Sequence, residues 1–217
     1  LATPFGDETP PSAVIFSYNR VGEDSYTDTN ISADQFTRQI HELISGSYNV
    51  AALPDVIESL KTGAPLPPRT VVLTFDGGYK SILQNALPLL EEHGLPYTIF
   101  TSAGRLNRDS AQYLNWKDLR RIEKSELSTL GLHPSSYERI YTKDAEEMRR
   151  NLNTAIAAYR KHFNSNPDFF AYPFGEYNTA YRTAVTELGF SAALAQNSGV
   201  AHAGSDLFAL PRFALTD

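Results

Sequence analysis

Thr70-Val71-Val72-Leu73-Thr74-Phe75-Asp76-Gly77-Gly78-Tyr79 is the stretch that decides the fold. Its first six residues are apolar or β-branched, with no polar alternation. A strand with one wet face alternates, whereas a strand covered on both faces does not. The run therefore predicts a buried parallel strand. It ends abruptly on an acid and two glycines. Gly77-Gly78 permit a tight turn and let a ligand approach the backbone closely. A helical pattern follows, with Ile82, Ala86, Leu87 and Leu90 on one face and a stop at Gly94; Pro88 inside it predicts a kink.

Working outward, apolar runs and helical patterns keep alternating. Upstream lie a strand at Ala13–Tyr18 and a helix capped by Ser32, with Gln35 at the capping-box position and a stripe of Phe36, Ile40, Leu43 and Ile44 stopping at Gly46. A short strand at 48–52 and a helix with Pro54 at its first position follow, ending near Gly63. Ala64-Pro65-Leu66-Pro67-Pro68 reads as a stiff loop. Downstream, strands are expected at 97–101, 128–132, 169–172 and 191–195. Helices are expected to start at Asn115, Thr142 and Asn178. A last apolar run covers Leu207–Leu215. About eight strands alternating with about six helices point to right-handed parallel β/α units. The count alone suits a closed barrel or an open doubly wound sheet. Residues 1–12 read as a polar leader arm and residues 13–217 as a single domain.

Composition narrows the function. The 217 residues carry a net charge of -6 and no cysteine, so disulfides, thiol catalysis and thiolate metal sites are excluded. No basic patch is visible, which argues against nucleic acid. No apolar run approaches the roughly 20 residues of a membrane helix. The dinucleotide fingerprint, the phosphate-binding G-x-x-x-x-G-K-[ST] loop and the G-x-S-x-G nucleophile elbow are all missing. Twelve Tyr and twelve Phe supply core packing or stacking surfaces for sugar rings.

In β/α barrels the working face lies at the C-terminal ends of the strands. There the sequence places Tyr18-Asn19-Arg20, Asp76-Gly77-Gly78-Tyr79, Thr101-Ser102, His133-Pro134-Ser135-Ser136-Tyr137, Pro173-Phe174-Gly175-Glu176 and Gln196-Asn197-Ser198-Gly199. Asp76, His133, Phe174 and Gln196 are expected to line one face. Each has a plainer reading: Asp76 suits a helix cap, His133 a hydrogen-bonded loop histidine, and Glu176 a solvated first-turn acid. His41, His93, His162 and His202 show no metal-binding spacing.

These residues resemble a known family, the polysaccharide deacetylases (carbohydrate esterase family 4). Thr74-Phe75-Asp76-Gly77-Gly78-Tyr79 is similar to its T-F-D-D-G-Y motif. His133 through Tyr137 resembles its H-x-x-x-H motif, and Tyr172-Pro173-Phe174-Gly175 its Y-P-Y-G-type motif. Gln196 through Gly199 and Ala209-Leu210-Pro211-Arg212-Phe213 resemble the C-terminal pattern of one bacterial branch. The resemblance implies a distorted (β/α) barrel of about seven or eight parallel strands. It also implies hydrolysis of acetyl groups from N- or O-acetylated sugars, with a divalent metal, usually zinc, on one Asp and two His. Carried over position by position, Asp76 is the catalytic base and His133 a residual metal ligand. In a sugar-binding reading, Tyr79, Trp116, Tyr172, Pro173, Phe174 and Gly175 are the expected substrate-binding residues, supplying stacking and polar contacts.

The pattern departs where the metal would sit. Gly77 stands at the second Asp and Tyr137 at the second His; Asn19 stands where this branch often has His. The expectation is a domain that binds acetylated sugar polymers, with no cofactor and weak or no deacetylation. An alternative is an active deacetylase holding zinc or another divalent ion on a rebuilt set of Asp76, His133 and Glu138. A third reading pairs Asp76 with Glu176 as glycosidase carboxylates. Family members are often exported and the chain does not begin with Met, so a periplasmic or extracellular place is expected, with an acetylated poly- or oligosaccharide as partner and no membrane span.

Overall fold

The computed structural model describes residues 10–108, 110–140 and 144–217. β1 (Ser12–Tyr18), β5 (Thr70–Phe75), β6 (Tyr97–Thr101), β7 (Ser128–Leu132), β8 (Phe169–Ala171) and β9 (Ala192–Leu194) lie side by side in that order, all parallel. Two-residue strands flank them. β4 (Asn49–Val50) runs parallel to the start of β5, and β10 (Ala201–His202) antiparallel to the start of β1. β2 (Arg20–Val21) and β3 (Asn30–Ile31) form a separate parallel pair.

The C-terminal segment curls this sheet into the distorted barrel. Leu207 and Leu210 exchange backbone hydrogen bonds with Ala193 and Ala195 of β9. Three residues later, β11 (Phe213–Ala214) pairs with Phe16 and Ser17 of β1. The apolar run at 207–215 thus bridges the two ends of the parallel set.

Both faces of β5 are covered, which is why its sequence does not alternate with polar residues. Val72 packs inward with Ile15, Phe100, Phe169, Ala171 and Leu194, and with Leu53, Val56, Ile57 and Leu60 of α2 (Leu53–Thr62). Val71, Leu73 and Phe75 pack outward under α1 (Ala33–Ser45), α3 (Leu87–Glu92) and α5 (Trp116–Ile122). Leu132, Phe170, Tyr172 and Ala193 do the same under α6 (Ala145–Phe163) and α7 (Thr179–Glu187). Each such side chain removed from water contributes about 1.5–3 kcal/mol before chain entropy is set against it.

Local corrections have physical causes. Ser32 Oγ accepts from the Gln35 N–H at 3.4 Å, but the reciprocal half of the capping box is not made. The Ser32 N–H goes to the Asp217 carboxylate at 2.9 Å instead. Pro88 lies inside a continuous helical run: a π-helical turn at Ile82–Ala86 passes directly into α3, and this wider turn accommodates the proline's missing N–H. Pro54 takes the second position of α2, with Leu53 first. The strand expected at 48–52 shortens to Asn49–Val50. The start expected at Thr142, and residues 1–9 of the expected arm, lie outside the described residues. α6 begins after Asp144, whose carboxylate accepts from the Glu147 N–H at 2.7 Å. No described helix is long and apolar enough to cross a membrane.

Candidate functional site

Asp76 is held by β1 and by the closing segment. Its N–H donates to the Tyr18 carbonyl at 2.8 Å. Arg212, from the closing segment, grips its carboxylate with Nη1 to Oδ1 at 2.8 Å and Nη2 to Oδ2 at 2.7 Å. The same guanidinium donates to the Ala195 carbonyl and to Thr74 Oγ1. Arg212 is 0% and Asp76 1% exposed, so this is a dry ion pair. Burial pulls the Asp76 carboxyl up, but the Arg212 charge and hydrogen bonds hold it below the ordinary carboxylate value.

His133 follows β7, is fully buried, and has both ring nitrogens engaged. Nε2 accepts the Gly77 N–H at 3.0 Å. Nδ1 must then carry the proton, which it donates to the Ala171 carbonyl at 2.8 Å. Burial pushes its pKa down to about 4 against the pull of Asp76, and Arg212 and Arg105 add to the depression. The imidazole is therefore neutral near pH 7 and has no free lone pair.

Gly77 has φ +82°, and a Cβ on it would stand 2.6 Å from the Tyr79 ring and 2.9 Å from Arg105 Nη1. Arg105, from the short helix α4 (Ala103–Leu106), donates to the Gly77 carbonyl at 2.8 Å. Its guanidinium lies 4.2 Å from the Tyr137 ring centroid, 4.7 Å from Tyr113 and 5.2 Å from Tyr79. The space beside Asp76 is thus filled by a cation in an aromatic cage.

The cage continues outward on both sides. Arg20 lies 3.8 Å from the centroids of both Tyr79 and Tyr26. On the other side the Tyr137 ring packs on Phe174 at 4.8 Å, and Arg139 covers Phe174 at 4.5 Å while pairing with Glu176. Phe174 sits in the 3-10 turn Pro173–Gly175 with φ +56°, unusual for a residue with a side chain. Among the described residues, Tyr26, Phe174 and Tyr177 are three of the five exposed large apolar side chains, at 45%, 39% and 41%. Gly175 lets the turn touch Gln196, whose Cβ would be 2.0 Å from any Cβ placed there.

Asp76, His133, Phe174 and Gln196 are thus joined through contacts at one end of the barrel, together with Tyr79 and Pro173. Trp116 and Tyr172 are placed differently. Trp116 stacks on His162 at 3.9 Å, donates to Asn107 Oδ1 and packs in the core under α5. Tyr172 is fully buried beside Tyr181, with its hydroxyl donating to the Phe208 carbonyl, and Tyr177 stacks over it. Glu138 is exposed. Among the described residues no three Asp, Glu, His or Cys side chains gather, so it forms no ligand set with Asp76 and His133.

The family model described as "Polysaccharide deacetylase" matches residues 63–193, from the loop before β5 through β9. The chain belongs to the polysaccharide deacetylase family. Within this family it is 24% identical to a poly-beta-1,6-N-acetyl-D-glucosamine N-deacetylase of Escherichia coli (strain K12), over 94% of this chain but only 36% of the relative. The chain therefore spans about a third of that protein's length. The enzyme of the same name from Staphylococcus aureus (strain MRSA252) is 21% identical, over 97% of this chain and 84% of the relative. Two solved family folds superpose closely. The Streptococcus pyogenes deacetylase PplD in complex with acetate has a TM-score of 0.86 at 20% identity, covering 96% of this chain and 94% of that one. IcaB from Ammonifex degensii has a TM-score of 0.86 at 22% identity, covering 95% and 92%.

Polysaccharide deacetylases are typically metal-dependent, so the donors here can be compared with that need. A catalytic zinc site supplies three protein ligands and one open position. Gly77 offers no side-chain donor, the lone pair of His133 Nε2 already meets an N–H, and a guanidinium lies against the Gly77 peptide. Sequence reading missed Arg105, Tyr113 and the role of Arg212. Arg212 was visible as a cation directly after Pro211 in the last apolar run. Arg105 lies three residues beyond the Thr101-Ser102 turn, and a longer look past β6 reaches it.

Proposed function

We propose that this chain is a polysaccharide deacetylase-family domain that binds acetylated sugar polymers outside the cytoplasm and hydrolyses their acetyl groups weakly or not at all. The observation that carries this reading is the state of His133: its only metal-capable lone pair accepts the Gly77 N–H. The side chains present do not fit a divalent ion. Water that is not metal-bound keeps a pKa near 15.7, so the main rate device of such enzymes is lost. Asp76 retains the base's position, yet both of its oxygens accept N–H groups from Arg212 and almost no solvent reaches it.

Binding needs less. Tyr26, Phe174 and Tyr177 present exposed aromatic surface, and carbohydrate rings stack their C–H faces on such surfaces. The relatives' names supply the first probe, an oligomer of β-1,6-linked N-acetylglucosamine. Calorimetric titration with this oligomer, run with and without a chelator, is expected to give the same affinity in both. Acetate release is expected to stay at the buffer rate whether or not zinc is added. Zinc-stimulated acetate release by protein carrying one metal per chain would overturn the reading.

A further inference from the structure

Three of the arginines at the barrel's C-terminal end each meet a carboxylate. Arg20 pairs with Glu23, Arg139 with Glu176, and Arg212 with Asp76. Arg105 meets none among the described residues. Among the described residues its guanidinium makes one hydrogen bond, to the Gly77 carbonyl, and otherwise faces the rings of Tyr79, Tyr113 and Tyr137. A guanidinium has five N–H donors, so most of those on Arg105 are uncommitted. Ring faces offset part of the cost of holding a cation out of water, but they accept no strong hydrogen bond.

The charge balance points the same way. Among the described residues, the carboxylates of Glu23, Glu176 and Asp76 each have their own guanidinium, and none of the three is left for Arg105. Arg20, against the same Tyr79 ring, holds a buried Nε–H with no acceptor among the described residues. Two guanidiniums therefore share one ring with a single carboxylate, Glu23, between them.

We propose that the Arg105 cage is a subsite for a carboxylate carried on the saccharide, so that the domain prefers an acidic acetylated sugar chain to a neutral one. This inference rests on the reading of the site as saccharide-binding. A carboxylate matches the planar fork of a guanidinium and cancels its charge. An acetamide oxygen accepts a hydrogen bond but leaves the Arg105 charge in place. The placement is suitable. A sugar lying along the exposed edge of Phe174 is beside Tyr137, whose ring packs on Phe174 at 4.8 Å and lies 4.2 Å from the guanidinium.

The test is calorimetric titration with three probes: a hyaluronan tetrasaccharide, which alternates a carboxylate sugar with an N-acetyl sugar; chitotetraose, which is neutral; and sodium acetate. The unmutated protein is expected to bind the hyaluronan tetrasaccharide about tenfold more tightly than chitotetraose at low salt, as one charge-assisted pair provides. That ratio is expected to fall towards one in molar salt. Arg105→Gln is expected to bring the low-salt ratio to about one, and Arg105→Lys to retain part of it. Equal binding of the two tetrasaccharides by the unmutated protein overturns the subsite and leaves the sugar-binding reading standing. A preference that survives salt and Arg105→Gln overturns it as well. Acetate binding that is lost in Arg105→Gln, with neither tetrasaccharide bound, supports the carboxylate site and overturns the sugar-binding reading. No binding of any probe overturns both. The salt series uses unmutated protein, so the test does not depend on the variants folding.

Discussion

Gly77 and Arg105 act as a pair, and the pair decides what restoring the missing ligands can achieve. Gly77→Asp together with Tyr137→His recreates the family's two missing donors on paper. In the folded chain the new carboxylate would start from a Cβ 2.9 Å from Arg105 Nη1, on a backbone at φ +82°. It would be caught by the guanidinium, and the left-handed backbone would cost about 1–2 kcal/mol. The double variant is therefore expected to bind zinc no better than the parent by calorimetry. Adding Arg105→Ser removes the competing cation, yet zinc affinity is expected to stay below that of a three-ligand site, because the backbone N–H at residue 77 still meets the His133 Nε2 lone pair. If the double variant alone binds zinc tightly, Arg105 is not the obstacle. Arg212 gives a second test at this scale. Arg212→Met leaves the Asp76 carboxylate buried and unpaired, which costs about 3–5 kcal/mol. Urea denaturation should show that loss, and Asp76→Asn in the same background should recover much of it.

The turn Pro173–Gly175 shows what an element can conceal from sequence. Its Tyr-Pro-Phe-Gly stretch reads as a turn because Pro and Gly punctuate it. Nothing in that pattern says that Phe174 itself takes φ +56°. The strain holds the ring outward against Tyr137 and Arg139. Phe174→Gly relieves the backbone and removes only a partly exposed ring. Its stability is expected to stay within about 1 kcal/mol of the parent by urea denaturation, while oligosaccharide affinity falls several-fold. A large loss of stability with unchanged affinity would make the ring a packing residue instead. The parallel strands were legible for the opposite reason. Runs such as Thr70–Phe75 are buried on both faces, so their composition and their environment agree. Pro88 marked a disturbance in its helix, but periodicity alone carries no sign that the disturbance takes the form of a π-helical turn at Ile82–Ala86. Trp116 and Tyr172 were assigned to substrate from aromatic type and motif position, but burial and hydrogen bonding depend on which face of the element each occupies. The structure puts both among core side chains.

At the scale of the whole molecule, the barrel's interior carries charge that its surface does not show. The net charge of -6 sums over the whole chain and hides a buried pair, because the closing segment delivers Arg212 to Asp76 across more than a hundred residues of sequence. No local pattern encodes such a pairing, which is why the Asp76 turn was readable and its partner's role was not. The same burial predicts how the fold responds to acid. In the unfolded chain a histidine titrates near 6.5. In the folded chain His133 titrates at about 4, because its burial disfavours the imidazolium and Arg212 and Arg105 repel it, against the attraction of Asp76. Between those two values the unfolded state binds a proton that the folded state refuses. Stability therefore rises with pH across this window and is lost as pH falls through it. At about 1.4 kcal/mol per unit, the full loss is about 3 kcal/mol. Asp76 acts lower down: its depressed folded value places its loss below the ordinary carboxylate range. Urea midpoints measured from pH 7 to pH 3 are expected to stay level down to about 6.5 and then decline towards 4. In His133→Asn, whose amide can both accept and donate without titrating, the decline across that window should flatten while the steeper loss below it persists. An undiminished decline in His133→Asn would mean that His133 is already charged in the folded protein, and the tautomer that closes Nε2 to a metal would fall with it.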